Sequence, residues 1–290
     1  MSVALSFPDG TYSSSNKPSV ATLKNDLSLI EDDLNAHEAD TTIHFTFDSV
    51  ASGWVPYSTV VPTRASADDP TYVLTFAGVD LTSTMSVGMK VKWTQNSTVR
   101  YGFVTAISFS TNTTLTIYGG TDYDVDDTAT YAISAFHYST QKSPLSFPLD
   151  PTKWTAKATD TTNRSQSTPT QNTWYNLGSV SLPIPIGSWR LEYSVAFFIG
   201  ESTASDYVCQ TTLSTANNSE SDTELTASST FPIRGASSSS GAFFRNSKDV
   251  ILSAKTTYYL NSRTVESGVD SINNRNSSAP AIIRAVCAYL

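Results

Sequence analysis

The chain has 290 residues, 39% of them hydrophobic, enough to bury at least one full core while leaving one to three domains open. Only 15% are charged, the formal net charge is -8 and the pI is near 4.8, so a broad basic face for nucleic acid is excluded. No run of Lys or Arg supplies a local basic patch, and no stretch approaches eighteen consecutive apolar residues, which excludes helical membrane insertion.

The start, "MSVALSFPDG", has neither a basic region nor a long apolar run, so a soluble protein made without a signal peptide is expected. Residues 1–17 are short on apolar periodicity and rich in Ser, Asp, Gly and Tyr, which predicts a flexible or partner-ordered arm rather than a folded element. Pro18 and Ser19 then open a helix over 18–40. Within it Val20, Leu23, Leu27, Ile30, Leu34 and His37 recur at alternating spacings of three and four, a heptad seam of just under three repeats. Its stripe is narrow, flanked by Lys24, Asn25, Asp26, Glu31, Asp32 and Asp33, and a narrow seam suits identical neighbours. A coiled coil this short needs support from the domains that follow; the alternative is an amphipathic helix packed on its own chain.

From Thr41 the apolar period becomes two. The segments "TYVLTFAGVDLT", "MKVKWTQ", "VRYGFVTAISF", "TLTIYGG" and "TYAISAFHY" alternate between Asn, Gly, Asp and Ser punctuation, predicting an antiparallel sandwich or small barrel over 41–140. "STQKSPLSFPLDPTKW" carries Pro144, Pro148 and Pro151 and reads as a stiff linker over 141–153. A second β domain follows over 154–290. In "WRLEYSVAFFI" the set Leu191, Tyr193, Val195, Phe197 and Ile199 faces a core while Arg190, Glu192 and Ser194 face away. The closing "APAIIRAVCAYL" is apolar on both faces apart from Arg284, so a central strand running to Leu290 is expected. Ser229–Gly241 and "TANNSESDTEL" read as the flexible loops of this domain. Cys209 and Cys287 are too few for a disulfide framework and read as free, buried thiols.

Candidate chemistry is sparse. His37 and His44 lie seven apart in "NAHEADTTIHF" without a third suitably spaced His or Cys, so no single-chain zinc site is expected. In a parallel trimer, however, His37 on the seam would offer three imidazoles around the axis, the one metal site held open. His44 falls outside the helix, because the β-branched Thr41, Thr42 and Ile43 favour leaving it near Asp40. "DYDVDD" at Asp122–Asp127 has calcium-like alternation but no Gly at the sixth loop position and Ile133 at the twelfth, so it reads as a solvated turn. Of the carboxylates, Glu192 is the main mid-strand case, directed to solvent or to a neighbouring subunit. No G-x-S-x-G, Walker loop or H-E-x-x-H occurs, and His137 stands at a strand end near the linker. No enzyme and no cofactor are expected. Aromatic rings with Ser, Thr and Asn neighbours suit sugar faces, and in the second domain Trp174, Tyr175, Tyr207, Tyr258 and Tyr259 are the candidate glycan-binding set.

Several of these pieces resemble one family. "NAHEADTTIHF" after a short heptad helix is similar to the N-x-H-x-x-D-T-T-x-H segment of bacteriophage tail-fibre and minor structural proteins. "GMKVKWTQNSTVRYGFVTAISFSTNTTLTIYGGTDYDV" is similar to a β domain of such proteins in phages and prophages. "FPLDPTKW" with "TQNTWYNLGSVSLPIPIGSWRLEYSVA" looks like the lead-in to a fibre head, and "AKTTYYLNSRT" with "IIRAVCAYL" resembles trimeric jelly-roll heads of the tumour-necrosis-factor or C1q-like kind. The resemblance implies a mainly β homotrimer on the virion, made in the host cytoplasm. Its N-terminal arm would dock to other virion structural proteins, and its distal head would adhere to host cell-surface carbohydrate. It lacks a long repetitive shaft and the catalytic signature of depolymerase tailspikes, implying a short tail fibre or spike. The alternatives are a capsid head fibre or decoration protein held through its N-terminus, and a polysaccharide-degrading tailspike.

Overall fold

The structure, a computed structural model, describes residues 28–30, 32, 52–68, 71–121, 132–178, 180–233 and 238–290. The arm over 1–17 and the Asp122–Asp127 run lie outside these residues. So do Val20, Leu23, Leu27, Leu34, His37 and His44; of the seam only Ile30 is described, helical and 41% exposed. The chain divides into two compact units, Met1–Ser52 and Gly53–Leu290, and the second holds all the strands below. The protein is mainly β with antiparallel sheets and a half-barrel.

The first sheet has seven strands: β1 (Val55–Pro56), β2 (Thr63–Asp68), β3 (Thr71–Phe76), β4 (Lys90–Gln95), β5 (Thr98–Phe109), β6 (Thr113–Tyr118) and β7 (Ile133–Ser139). Their order is β1-β7-β4-β5-β6-β3-β2, every pair antiparallel, and β1 and β2 stay as open edges. Where a sandwich or small barrel is expected over 41–140, the described strands form one seven-stranded antiparallel sheet. Alternation decides its faces: Tyr72, Leu74, Phe76, Val91, Trp93, Val104, Leu115 and Ile117 form one core with Leu81 and Met85. The opposite face is not solvent, because Phe103 and Tyr118 join a second, larger core.

That core is built with the "PLSFPLDPTKW" stretch and the strands after it. Residues Pro151–Trp154 form a 3-10 turn capped by Asp150, whose Oδ1 accepts from the Thr152 N–H at 2.9 Å. Trp154 is fully buried, stacked on Phe147 at 5.3 Å and edge-on to Phe103 at 4.7 Å, with its Nε1–H donating to the Pro148 carbonyl at 2.8 Å. The expected linker thus contributes core rings; its three prolines limit the backbone freedom lost in holding them there.

Two further sheets follow. One is formed by β8 (Thr155–Asp160), β17 (Ala281–Cys287), β11 (Gly187–Glu201), β16 (Ser271–Asn274) and β9 (Arg164–Ser167), with β14 (Ser238–Leu252) paired along β11. The other orders β10 (Ser181–Ile184), β15 (Thr256–Thr264), β12 (Ser205–Ser214) and β13 (Thr226–Ile233). Leu191, Tyr193, Val195, Phe197 and Ile199 are all buried, as their period predicted, and β17 is central, between β8 and β11. That strand ends at Cys287, short of the expected Leu290. The expected flexible loop Ser229–Gly241 is corrected: β13 and β14 take up all of it but residues 234–237, which are outside the described residues. Its small residues serve close approach instead, since a Cβ on Gly241 would sit 2.3 Å from the Phe197 carbonyl oxygen.

Candidate functional site

The five predicted glycan rings do not form one exposed platform. Trp174, Tyr207 and Tyr258 are buried, at 7%, 5% and 6% exposure, and Tyr207 and Tyr258 belong to the main core. Strand parity explains Tyr207 and Tyr258: residues alternating along β12 and β15 must fill the space between the sheets, and these rings do so, whereas Trp174 lies outside the strands. Arg263 covers the remaining face of Trp174, its guanidinium 4.4 Å from the ring centre and its Nε–H donating to Gln210 Oε1 at 2.7 Å. Tyr175 and Tyr259 are half-buried; the Tyr175 hydroxyl accepts from the Thr170 N–H at 2.9 Å. These two rings remain of the predicted set.

The thiols and histidine behave as their surroundings dictate. Cys209 and Cys287 are free and buried. Burial pushes both thiols up, Cys287 to about 12 and Cys209 well above the usual thiol value, so neither is a nucleophile near neutral pH. Burial also lowers His137, whose Nδ1 lies 2.6 Å from the Ala135 carbonyl, with Lys92 nearby adding repulsion. Ala135 itself holds φ +47°, a left-handed position within β7. Among the described residues no three His, Cys, Asp or Glu side chains converge as metal ligands. No helix among them is long and apolar enough to cross a membrane.

A large concavity, about 920 Å³ in volume, lies on the outward face of the β8-β17-β11-β14 sheet. Registry builds it. Arg284 pairs across with Lys157 on one side and with Glu192 on the other, and Glu192 with Ser247. In the next row outward-facing Ile282 meets Ser194, which meets Arg245. Glu192 therefore faces outward, as its parity predicted, where it forms ion pairs with Arg284 at 3.6 Å and Arg190 at 3.9 Å. Each partner is about half exposed, so these pairs contribute little to stability. They order the side chains of the face. Lys157 directly beside Arg284 is a like-charge pair across two strands, which costs stability unless an anion relieves it. Sequence alternation marked Arg190, Glu192 and Ser194 as outward; only strand order brought Lys157, Arg245 and Arg284 to them.

Large apolar side chains share this face. Ile251 is 85% exposed and Phe243 45%, both on β14 with outward parity, and the Arg245 guanidinium lies 4.8 Å from the Phe243 ring centre. Beside the free edge of β14 runs an acidic turn, Glu220 to Leu225. There Lys248 Nζ bonds Asp222 Oδ2 at 2.6 Å and pairs with Glu224, and the Glu224 side chain stays 74% exposed. Those two carboxylates raise Lys248 to about 12.

No family model matches this chain, and no curated protein matches it. Among solved structures it aligns with dimeric latent PorU from Porphyromonas gingivalis at 9% identity and a TM-score of 0.25, covering 80% of this chain and 24% of that one.

Proposed function

We propose that this chain is a short homotrimeric fibre or spike of a bacteriophage virion that adheres to host-surface carbohydrate. In this proposal residues 1–17 attach to other virion proteins, the helix over 18–40 sets a threefold register, and the β unit is the distal head. The observation that carries it is the pairing of a heptad stem in the sequence with the strand order of the last lobe. That lobe opposes β8-β17-β11-β14 to β10-β15-β12-β13, which supports a jelly-roll head of the tumour-necrosis-factor or C1q-like kind. A head rich in Ser, Thr and Asn side chains suits hydrogen bonding to sugar hydroxyls. Three modest sites per trimer, and several trimers per particle, raise avidity by about 10²–10⁴ over one site, so weak sugar contacts suffice. The test is binding of the full chain to glycan arrays and to isolated host cell wall. Retention on either supports adhesion; blank results on both, with a folded trimer, would overturn it.

A further inference from the structure

The outward face of the β8-β17-β11-β14 sheet combines features that a solvated face does not need. Lys157, Arg190, Arg245 and Arg284 stand on it against Glu192 and Asp249, a local positive excess on a chain of net charge -8. Arg284 and Arg190 share the Glu192 carboxylate, and Lys157 adjoins Arg284 rather than an acid. Ile251 and Phe243 add apolar area along the β14 side of the same face. Around the corner of β14, the turn carrying Glu220, Asp222 and Glu224 projects an acidic flank. Lys248 pairs with Asp222 and Glu224 within the chain, yet the Glu224 side chain stays 74% exposed beside the basic face.

We infer that this face is where a second copy of the chain docks, the acidic flank of one copy against the basic, partly apolar face of the next. Such a contact is heterologous: two different patches meet, and repetition around an axis closes a ring in which every copy uses both patches. Three copies give three equal contacts. The charges select orientation, because face-to-face or flank-to-flank docking sets like charges together, while Ile251 and Phe243 supply the apolar burial. The inference rests on the trimer proposed above and assigns its head contact.

The test uses the full chain with Ile251→Cys, since both native thiols are buried. Val61→Cys, at a site 62% exposed in the loop between β1 and β2, is the reference. In the native trimer a maleimide should label the Ile251→Cys thiol at least about tenfold more slowly than the Val61→Cys thiol. Adding Lys157→Glu and Arg284→Glu, both at solvent-facing positions, should bring the two rates to within about twofold in a chain whose far-ultraviolet dichroism is unchanged. Equal labelling of both thiols in a chain that sediments as a trimer would overturn the docking face and leave the trimer standing. Sedimentation of the unaltered chain as a monomer would overturn the trimer itself. Protection of Ile251→Cys that appears only on adding a carboxylated polysaccharide would assign the face to an anionic glycan and overturn the inference.

Discussion

Trp154→Ala tests whether the first sheet and the last two fold as one body. The indole is fully buried between Phe147, Phe103 and Tyr118, so truncation removes a complete ring from the core rather than trimming its edge. Deleting a buried Trp costs about 3–5 kcal/mol, ring-edge contacts included, because neighbours relax only partly into the cavity. Losing the bond from Nε1–H to the Pro148 carbonyl adds about 1 kcal/mol. With a urea dependence of about 3 kcal/mol per molar for a unit of this size, the midpoint should fall by roughly 1.5 M. The assay is urea unfolding of the full chain at fixed protein concentration, followed by far-ultraviolet dichroism and by exposure of the Cys209 and Cys287 thiols. Dichroism reports all the strands; the thiols report only β12 and β17. Both signals should move together. A biphasic dichroism curve, with only one phase displaced and the thiols tracking that phase, would refute the shared core as the source of cooperativity.

Two further outcomes follow from buried polar groups. Burial would raise Asp160, but hydrogen bonds from Arg164, the Thr162 N–H and Asn276 outweigh it and hold the carboxyl below its ordinary value of 3.8. Its folded-state pKa is depressed, so its stabilisation is complete above about 3.8 and is lost as pH falls through the lower folded value; Asp160→Asn should lose about 1–3 kcal/mol at pH 7 and flatten acid unfolding in that window. An unchanged acid-unfolding curve for this variant would remove the argument. Both native thiols should stay unmodified by a thiol-specific disulfide reagent at pH 8 and react fully in denaturant; fast native labelling would contradict their burial.

Local patterns were the legible part. The period-two run from Arg190 to Ile199 assigned both faces of β11 correctly, since pleating alone decides which side chains share a face. The same rule placed Glu192 outward, and the apolar richness of the closing strand pointed to its place between β8 and β11. Ser229–Gly241 misled because its small polar residues, which usually mark loops, here permit the tight pairing of β14 on β11. The aromatic set misled for a related reason: composition names rings suited to sugars, but only the spacing between two sheets decided that Tyr207 and Tyr258 fill it, and only chain packing brought Arg263 over Trp174.

By itself, then, the amino-acid order determined an antiparallel β protein, the core face of β11 and the buried character of both cysteines. Tertiary structure decided that the proline-rich segment carries Phe147 and Trp154 into a core shared by the first sheet and the last lobe. It also decided that Lys157, Glu192, Arg245 and Arg284, up to 127 positions apart along the chain, line one concave face. The physical reason is the same in both cases. Alternation is a local property of a strand, whereas which strands become neighbours depends on nonlocal pairing and on how the whole chain buries its apolar surface.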